Sequence, residues 1–232
     1  MHIVLKDVEM ETEPFEHVVI DNFLDVPIAE NILFELENEN YDDWDKRYDT
    51  GEQVKWRSNW QNDSDVPFHT LELIKYLNSG EFLRWLSKTT GVEGLIPDPY
   101  LTGGGFNIIK RNGVLAVHAD GNWHDLMQVH RRLNVILYLN RDWKDEWGGH
   151  FELWSNDNGK PGECVKKVRP DFNRLVVFKT DDFSFHGHPT PLECPDTRSR
   201  KSLILYYYTS TRPEEELASE EKHRALFHVQ EK

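Results

Sequence analysis

From about residue 100 onward the chain is cut into short β-rich runs by Gly, Pro, Asn and Asp. "GFNIIKR", "VLAVHAD", "RLNVILYLN", "HFELWS", "CVKKVRP", "RLVVFKT", "FSFHGHP" and "KSLILYYYT" follow one another in this way. Runs rich in β-branched and aromatic residues, bounded by turn formers, read as strands. About eight of them at this spacing point to two packed sheets, a sandwich or jelly roll. Upstream the pattern differs. "HVVIDNF" (17–23) reads as a strand, and "VPIAENILFELENEN" (26–40) as an amphipathic helix entered through Asp25 as N-cap. "PFHTLELIKYLNSGEFLRWLSKTTG" (67–91) reads as two helices broken near Asn78-Ser79-Gly80, and "RPEEELASEEKHRALFHVQ" as a closing surface helix. The expected fold is mainly β (α+β), in a single domain over 1–232. Residues 1–98 supply a strand and supporting helices, 99–210 the β core, and 211–232 a C-terminal helix.

Composition bounds the function. Hydrophobic residues make up 38% and aromatics 12%, with 8 Trp, enough for a packed core. The net charge of −14 argues against a phosphate-binding surface, hence against a nucleic-acid partner, and against attraction to anionic lipid. No stretch approaches the roughly 20 apolar residues of a membrane span. The N-terminus carries no basic-then-apolar leader pattern. Cys164 and Cys194 lie in polar loops without metal spacing, so a reduced, cytoplasmic protein is the simplest expectation, a disulfide between the two being the alternative.

"VLAVHADGNWHD" (114–125) contains His118 and Asp120 in an H-x-D spacing. On an extended chain, residues i and i+2 point to one side, so an imidazole and a carboxylate can converge. The pair alone is weak, since about one such spacing arises by accident in a chain with 11 His. Its bland alternative is a strand-end histidine followed by a turn aspartate. Context strengthens it. His186 follows another apolar strand, and Arg200 opens the last one. Two histidines and a carboxylate make the facial triad of non-heme Fe(II) oxygenases, and a nearby arginine can hold a dicarboxylate through two parallel hydrogen bonds.

In "VHAD", "RLNVILYLNRDWKDEWGGHFELW", "RPDFNRLVVFKTDDFSFHGHP" and "RKSLILYYYT" the chain resembles the 2-oxoglutarate/Fe(II)-dependent dioxygenases, in particular their prolyl 4-hydroxylase-like branch of bacterial and phage type. The resemblance covers roughly residues 100–210. It implies a double-stranded β-helix, Fe(II), 2-oxoglutarate and O2, and admits ascorbate. His118, Asp120 and His186 are then the iron ligands and catalytic centre. Arg200 and Tyr138 bind the far carboxylate of 2-oxoglutarate, with Arg198 second to Arg200 because it lies in the preceding loop. Lys201 has the opposite strand parity and points away. Asp120 favours hydroxylation over halogenation, because the related halogenases lack this carboxylate. Where many prolyl hydroxylases carry a tyrosine upstream of the first histidine, this chain has Asn107-Ile108-Ile109, so Asn107 becomes a candidate contact. His188, in the turn after His186, is expected either behind the metal ligands or at the pocket rim. His124, His130 and His150 read as surface or turn residues, Arg131-Arg132 as a charged strand entrance or a substrate contact, and "GGG" (103–105) as a flexible segment before a strand. Trp56, Trp60, Trp123 and Trp147 suit a substrate groove or plain packing.

The expected activity is hydroxylation of a prolyl residue in a protein or peptide, with release of succinate and CO2. Hydroxylation of a free amino acid or other small molecule is the alternative within the class. A non-catalytic metal-binding sensor module is the alternative outside it. A zinc hydrolase gives no role to Arg200 and Tyr138.

Overall fold

The computed structural model describes residues 3, 5–49, 52–219 and 221–228. It begins with β1 (His17–Asp21), α1 (Val26–Glu37), a hairpin of β2 (Asp45–Asp49) and β3 (Gln53–Arg57), α2 (Phe68–Leu77), α3 (Gly80–Thr90) and a short β4 (Ile96–Pro97). β5 (Gly105–Lys110) and β6 (Leu115–Ala119) follow, then a two-residue β7 (Trp123–His124) and the long β8 (Val129–Tyr138). The rest comprises β9 (Phe151–Asp157), β10 (Lys160–Val168), β11 (Arg174–Lys179), β12 (His186–His188), β13 (Ser199–Thr209) and β14 (Leu226–His228). All eight runs that read as strands after residue 100 are strands. So is the segment starting at His17, and α2 and α3 part where Asn78-Ser79-Gly80 interrupts them.

The strands form two facing layers. One is β1-β11-β8-β13-β5 and the other β6-β12-β9-β10, with β3 paired to both β5 and β6 along one side. Every pairing between these strands is antiparallel. This is the jelly-roll arrangement expected, a double-stranded β-helix. Period-2 alternation divides the layer of β8 cleanly. Leu133, Val135 and Leu137 join the core shared with the helices, whereas Ile136 and Tyr138 face inward with Phe151, Leu153, Val176 and Phe178. Both faces are buried, so the strand reads as a continuous apolar run.

The helices brace the outer face of that layer. Ala29, Ile32, Leu33 and Leu36 of α1 are buried, and each large side chain contributes roughly 1.5–3 kcal/mol of transfer energy. Asp25 occupies the N-cap position of α1, but its side chain makes no capping bond. α2 has Pro67 before its first turn, and its cap comes from α1 instead. The Glu35 carboxylate accepts from the His69 and Thr70 amides at 2.7 and 2.8 Å and from the Thr70 hydroxyl at 2.7 Å. Gly91, at φ 69°, ends α3 in the left-handed region that glycine tolerates.

Three expectations are corrected, and one hairpin is added. The expected C-terminal helix over 211–232 does not form within the described residues. Glu214–Glu216 makes one 3-10 turn, and Leu226–His228 becomes β14, paired antiparallel with β6. Helix propensity in this stretch has no apolar stripe to bury, so backbone pairing to a sheet edge wins. The β2–β3 hairpin went unread, because its "DKRYD" and "QVKWR" are too polar to read as strands. Gly105 opens β5 at φ +87°, and a Cβ there would lie 2.3 Å from the Ser58 hydroxyl, so "GGG" is the ordered entry to a strand. Both cysteines are free thiols, and Cys194 is buried against Ile109, Trp143 and Leu192 rather than set in a polar loop.

Candidate active site

β6 delivers His118 at its inner end, and Asp120 follows one residue past the strand. β12 pairs with β6 so that His186 lies directly opposite His118. The fold thereby brings together residues far apart in sequence. Each of His118, Asp120 and His186 offers one ligand atom, and these atoms lie within 4.8 Å of one another. His118 Nε2 is 3.5 Å from Asp120 Oδ1, and His186 Nε2 is 3.9 Å from Asp120 Oδ2. All three residues are buried. Gly187 makes the approach possible, because a Cβ there would meet the Leu115 and Ala116 carbonyls at 2.8 Å.

The hydrogen bonds set the chemistry of each donor. His118 Nδ1 lies 2.9 Å from the Ala116 carbonyl, and His186 Nδ1 lies 2.9 Å from the Ser184 carbonyl. Only an N–H can face a carbonyl oxygen, so both neutral rings carry their proton on Nδ1 and aim a lone pair from Nε2 toward the centre. Burial, helped by the neighbouring His118, lowers the His186 pKa to about 4 and keeps it a neutral ligand. Burial alone would raise Asp120. The Arg131 guanidinium and the two facing imidazoles outweigh it and hold the carboxyl well below the usual carboxylate range. Asn134 donates to Asp120 Oδ2 at 3.1 Å and fixes the carboxylate plane.

Arg200 and Tyr138 face the same interior from the opposite layer. Arg200 is buried, donates from Nε to the Gly149 carbonyl at 2.6 Å and from Nη2 to the Tyr138 hydroxyl at 3.0 Å. No carboxylate among the described residues comes within 4.0 Å of this guanidinium. A buried cation is normally paired, so the site lacks an anion. Ser202, on the same face as Arg200, also has a buried hydroxyl without a partner among the described residues. Arg198 turns outward instead. It donates to the Arg141 carbonyl and lines a surface cleft of about 580 Å³ with Glu30, Phe34 and Lys201. Lys201 pairs with Glu37 at 3.2 Å, away from the interior, as its parity requires. Asn107 is buried in register with Ser202, and its amide donates to the Gly105 carbonyl at 3.2 Å.

The donor set of two neutral imidazoles and one ionised carboxylate fits a divalent iron ion. The unpaired guanidinium beside a tyrosine hydroxyl fits a dicarboxylate. Residues 104–208 match the model of the 2OG-Fe(II) oxygenase superfamily. That stretch carries His118, Asp120, Tyr138, His186 and Arg200. The chain is similar to the mouse (Mus musculus) prolyl 3-hydroxylase OGFOD1, with 26% identity over 210 residues, covering 89% of this chain and 35% of that protein. The chain thus spans about a third of the length of the curated relatives it matches. In fold it is similar to a Pseudomonas putida prolyl-4-hydroxylase, with a TM-score of 0.60, 16% identity, and 83% and 92% of the two chains covered. It is also similar to a prolyl hydroxylase from Trichoplax adhaerens, solved with a hypoxia inducible factor oxygen degradation domain peptide fragment. That match has a TM-score of 0.59, 19% identity, and 83% of each chain covered.

Other residues around this site escaped the sequence reading. Asn134 is one, although a polar residue inside the apolar run "RLNVILYLN", on the parity of Tyr138, is a usable signal. Arg131, read as a strand entrance or a substrate contact, lies with its Nη1 3.7 Å from Asp120 Oδ1 and its guanidinium 3.8 Å over the Tyr206 ring. Phe227 is a second residue that escaped, stacked on His118 at 5.0 Å from the tail strand β14. No pattern in the tail sequence announces that contact. His124 was expected at the surface or in a turn. It is buried, 3.3 Å from the Asp98 carboxylate. Trp60 and Trp147 pack against Phe106 and Trp143, and Lys222 lies over Trp123.

Proposed function

We propose that this protein is an Fe(II)- and 2-oxoglutarate-dependent oxygenase that hydroxylates a prolyl residue in a protein or peptide. The observation that carries the reading is the buried, carboxylate-free Arg200 guanidinium facing the same interior as His118, Asp120 and His186. In this reading the two histidines and Asp120 hold the iron, and Arg200 with Tyr138 takes the far carboxylate of the cosubstrate. Iron, 2-oxoglutarate and O2 together supply the oxidising chemistry that hydroxylates a C–H bond, with succinate and CO2 as co-products. The chain's own contribution is positioning. The Ala116 and Ser184 carbonyls fix the imidazole tautomers, Asn134 fixes Asp120, and Ile136, Phe151 and Leu153 give the interior an apolar wall.

The prolyl substrate is supported by the prolyl hydroxylases among the relatives. A free amino acid is the second reading. Arg131 faces Asp120 with Lys55 nearby, and these two cations suit a substrate carboxylate. A cytoplasmic location belongs to the same proposal, supported by two free thiols. The test incubates purified protein with Fe(II), ascorbate and 2-oxoglutarate, with proline-containing peptides and with free proline. Succinate release and a one-oxygen mass increase on the peptide are expected. With iron demonstrably bound, absence of succinate under all these conditions rejects the oxygenase reading. An oxygen gained by the free amino acid alone favours the second.

A further inference from the structure

Beyond the triad and Arg200, one buried side chain in this chamber has no role so far. His188 is 2% exposed, and neither of its ring nitrogens has a hydrogen-bond partner among the described residues. Buried polar groups are nearly always paired in native structures, and a neutral imidazole carries one donor and one acceptor to satisfy. An orphaned pair of nitrogens therefore marks a place where something else is meant to bind.

The backbone says what that place is. His186 and His188 flank Gly187 on β12, and the pairing with β6 shifts register between them. His186 aims at Asp120, and His188 follows it into the same interior, opposite Leu115 rather than His118. The charged groups bearing on its ring come from three other strands and all are basic or imidazole: Arg200 on β13, Lys55 on β3 and His118 on β6. Neither Arg200 nor Lys55 has a carboxylate within 4.0 Å among the described residues. The ring thus sits among cations that lack an anion. A ring N–H there is a donor aimed at an acid.

We propose that His188 is a cosubstrate-binding residue that donates a hydrogen bond to a carboxylate of 2-oxoglutarate beside Arg200. This rests on the oxygenase reading above. His188 is no metal ligand in this assignment, since its register carries it past the triad.

The test measures binding rather than turnover. Iron-loaded protein is titrated anaerobically with 2-oxoglutarate, followed by its visible absorption band and by calorimetry. Wild type is compared with His188→Val, His188→Met and His188→Gln. The Val and Met variants lose the donor and are expected to bind 2-oxoglutarate at least fivefold more weakly, with iron affinity and melting temperature unchanged. The Gln variant keeps an N–H and is expected to recover most of the affinity. If Val and Met bind within twofold of wild type, the proposal is overturned. It is overturned equally if 2-oxoglutarate affinity falls only in step with iron affinity. Should one apolar variant fail to fold, the other reads the same quantity; loss of folding in both, with Gln intact, assigns His188 to structure and rejects the proposal. Wild-type protein that holds iron but binds no 2-oxoglutarate overturns the oxygenase reading itself, which separates the two failures.

Discussion

Arg200 donates to the Tyr138 hydroxyl at 3.0 Å across the paired strands β13 and β8, and the two together face an interior that holds no carboxylate for the guanidinium among the described residues. A charge-assisted hydrogen bond contributes about 1.5–3 kcal/mol, or roughly 10- to 150-fold in affinity. Arg200→Ala should therefore weaken 2-oxoglutarate binding by at least tenfold. Tyr138→Phe, which loses one neutral hydroxyl, should weaken it several-fold. Anaerobic titration measures both, and unchanged affinity in Arg200→Ala would remove the guanidinium from the cosubstrate site.

Replacing a ligand is a different experiment. His118→Ala and Asp120→Ala should each abolish stoichiometric iron retention after desalting, measured by metal analysis. Retention at wild-type level in either variant would show that the triad does not hold the metal.

Asn134 touches the metal site only through Asp120. Partners of this kind typically tune metal affinity by about 10- to 100-fold. Asn134→Ala should lower iron affinity into that range while preserving the melting temperature of the metal-free protein. A change in melting temperature without a change in iron affinity would reassign Asn134 to packing.

The Glu35 clamp lies far from the chemistry. Glu35→Ala leaves two amides of the first turn of α2 and the buried Thr70 hydroxyl without their acceptor. The expected cost is about 1–3 kcal/mol of stability. Denaturant unfolding reads it, and succinate formation per folded molecule should not move.

The tail provides the pH prediction. His223 lies 3.0 Å from the buried Asp182 carboxylate, which also accepts the Ala218 amide at 2.8 Å. The contact with Asp182 holds His223 above its ordinary range. Its stabilisation is complete below the unfolded value of about 6.5 and fades as pH rises through the higher folded value. Burial works to raise Asp182, but the bonds from His223 and the Ala218 amide hold it low, so its share is lost only as pH falls below about 3.9. Amides at 221–228, corrected for intrinsic exchange, should exchange faster at pH 8 than at pH 6, and Asp182→Asn should erase the difference. Equal protection at both pH values in the unmodified protein would rule the latch out.

The eight core strands were legible because a jelly roll forces each strand to alternate or to be buried on both faces, and turn residues mark every corner. The triad was legible for a related reason: H-x-D needs only strand parity, and His186 follows directly on the apolar strand β11 and its turn. What stayed hidden depends on pairing between distant segments. Asp45–Arg57 reads as polar loop until β3 finds the edges of β5 and β6. The tail reads as helix until β6 offers it an edge. His124 reads as a turn residue until Asp98 arrives beside it.

Phe227 lies nearly face-on to His118, with ring planes 29° apart. An aromatic ring so placed shields the nuclei above its face. In protein loaded with a diamagnetic ion such as zinc, the imidazole protons of His118 should therefore resonate upfield of their positions in Phe227→Ala. Displacing the tail would return them toward ordinary shifts, so a metal ligand itself serves as the magnetic reporter of whether the last strand is seated.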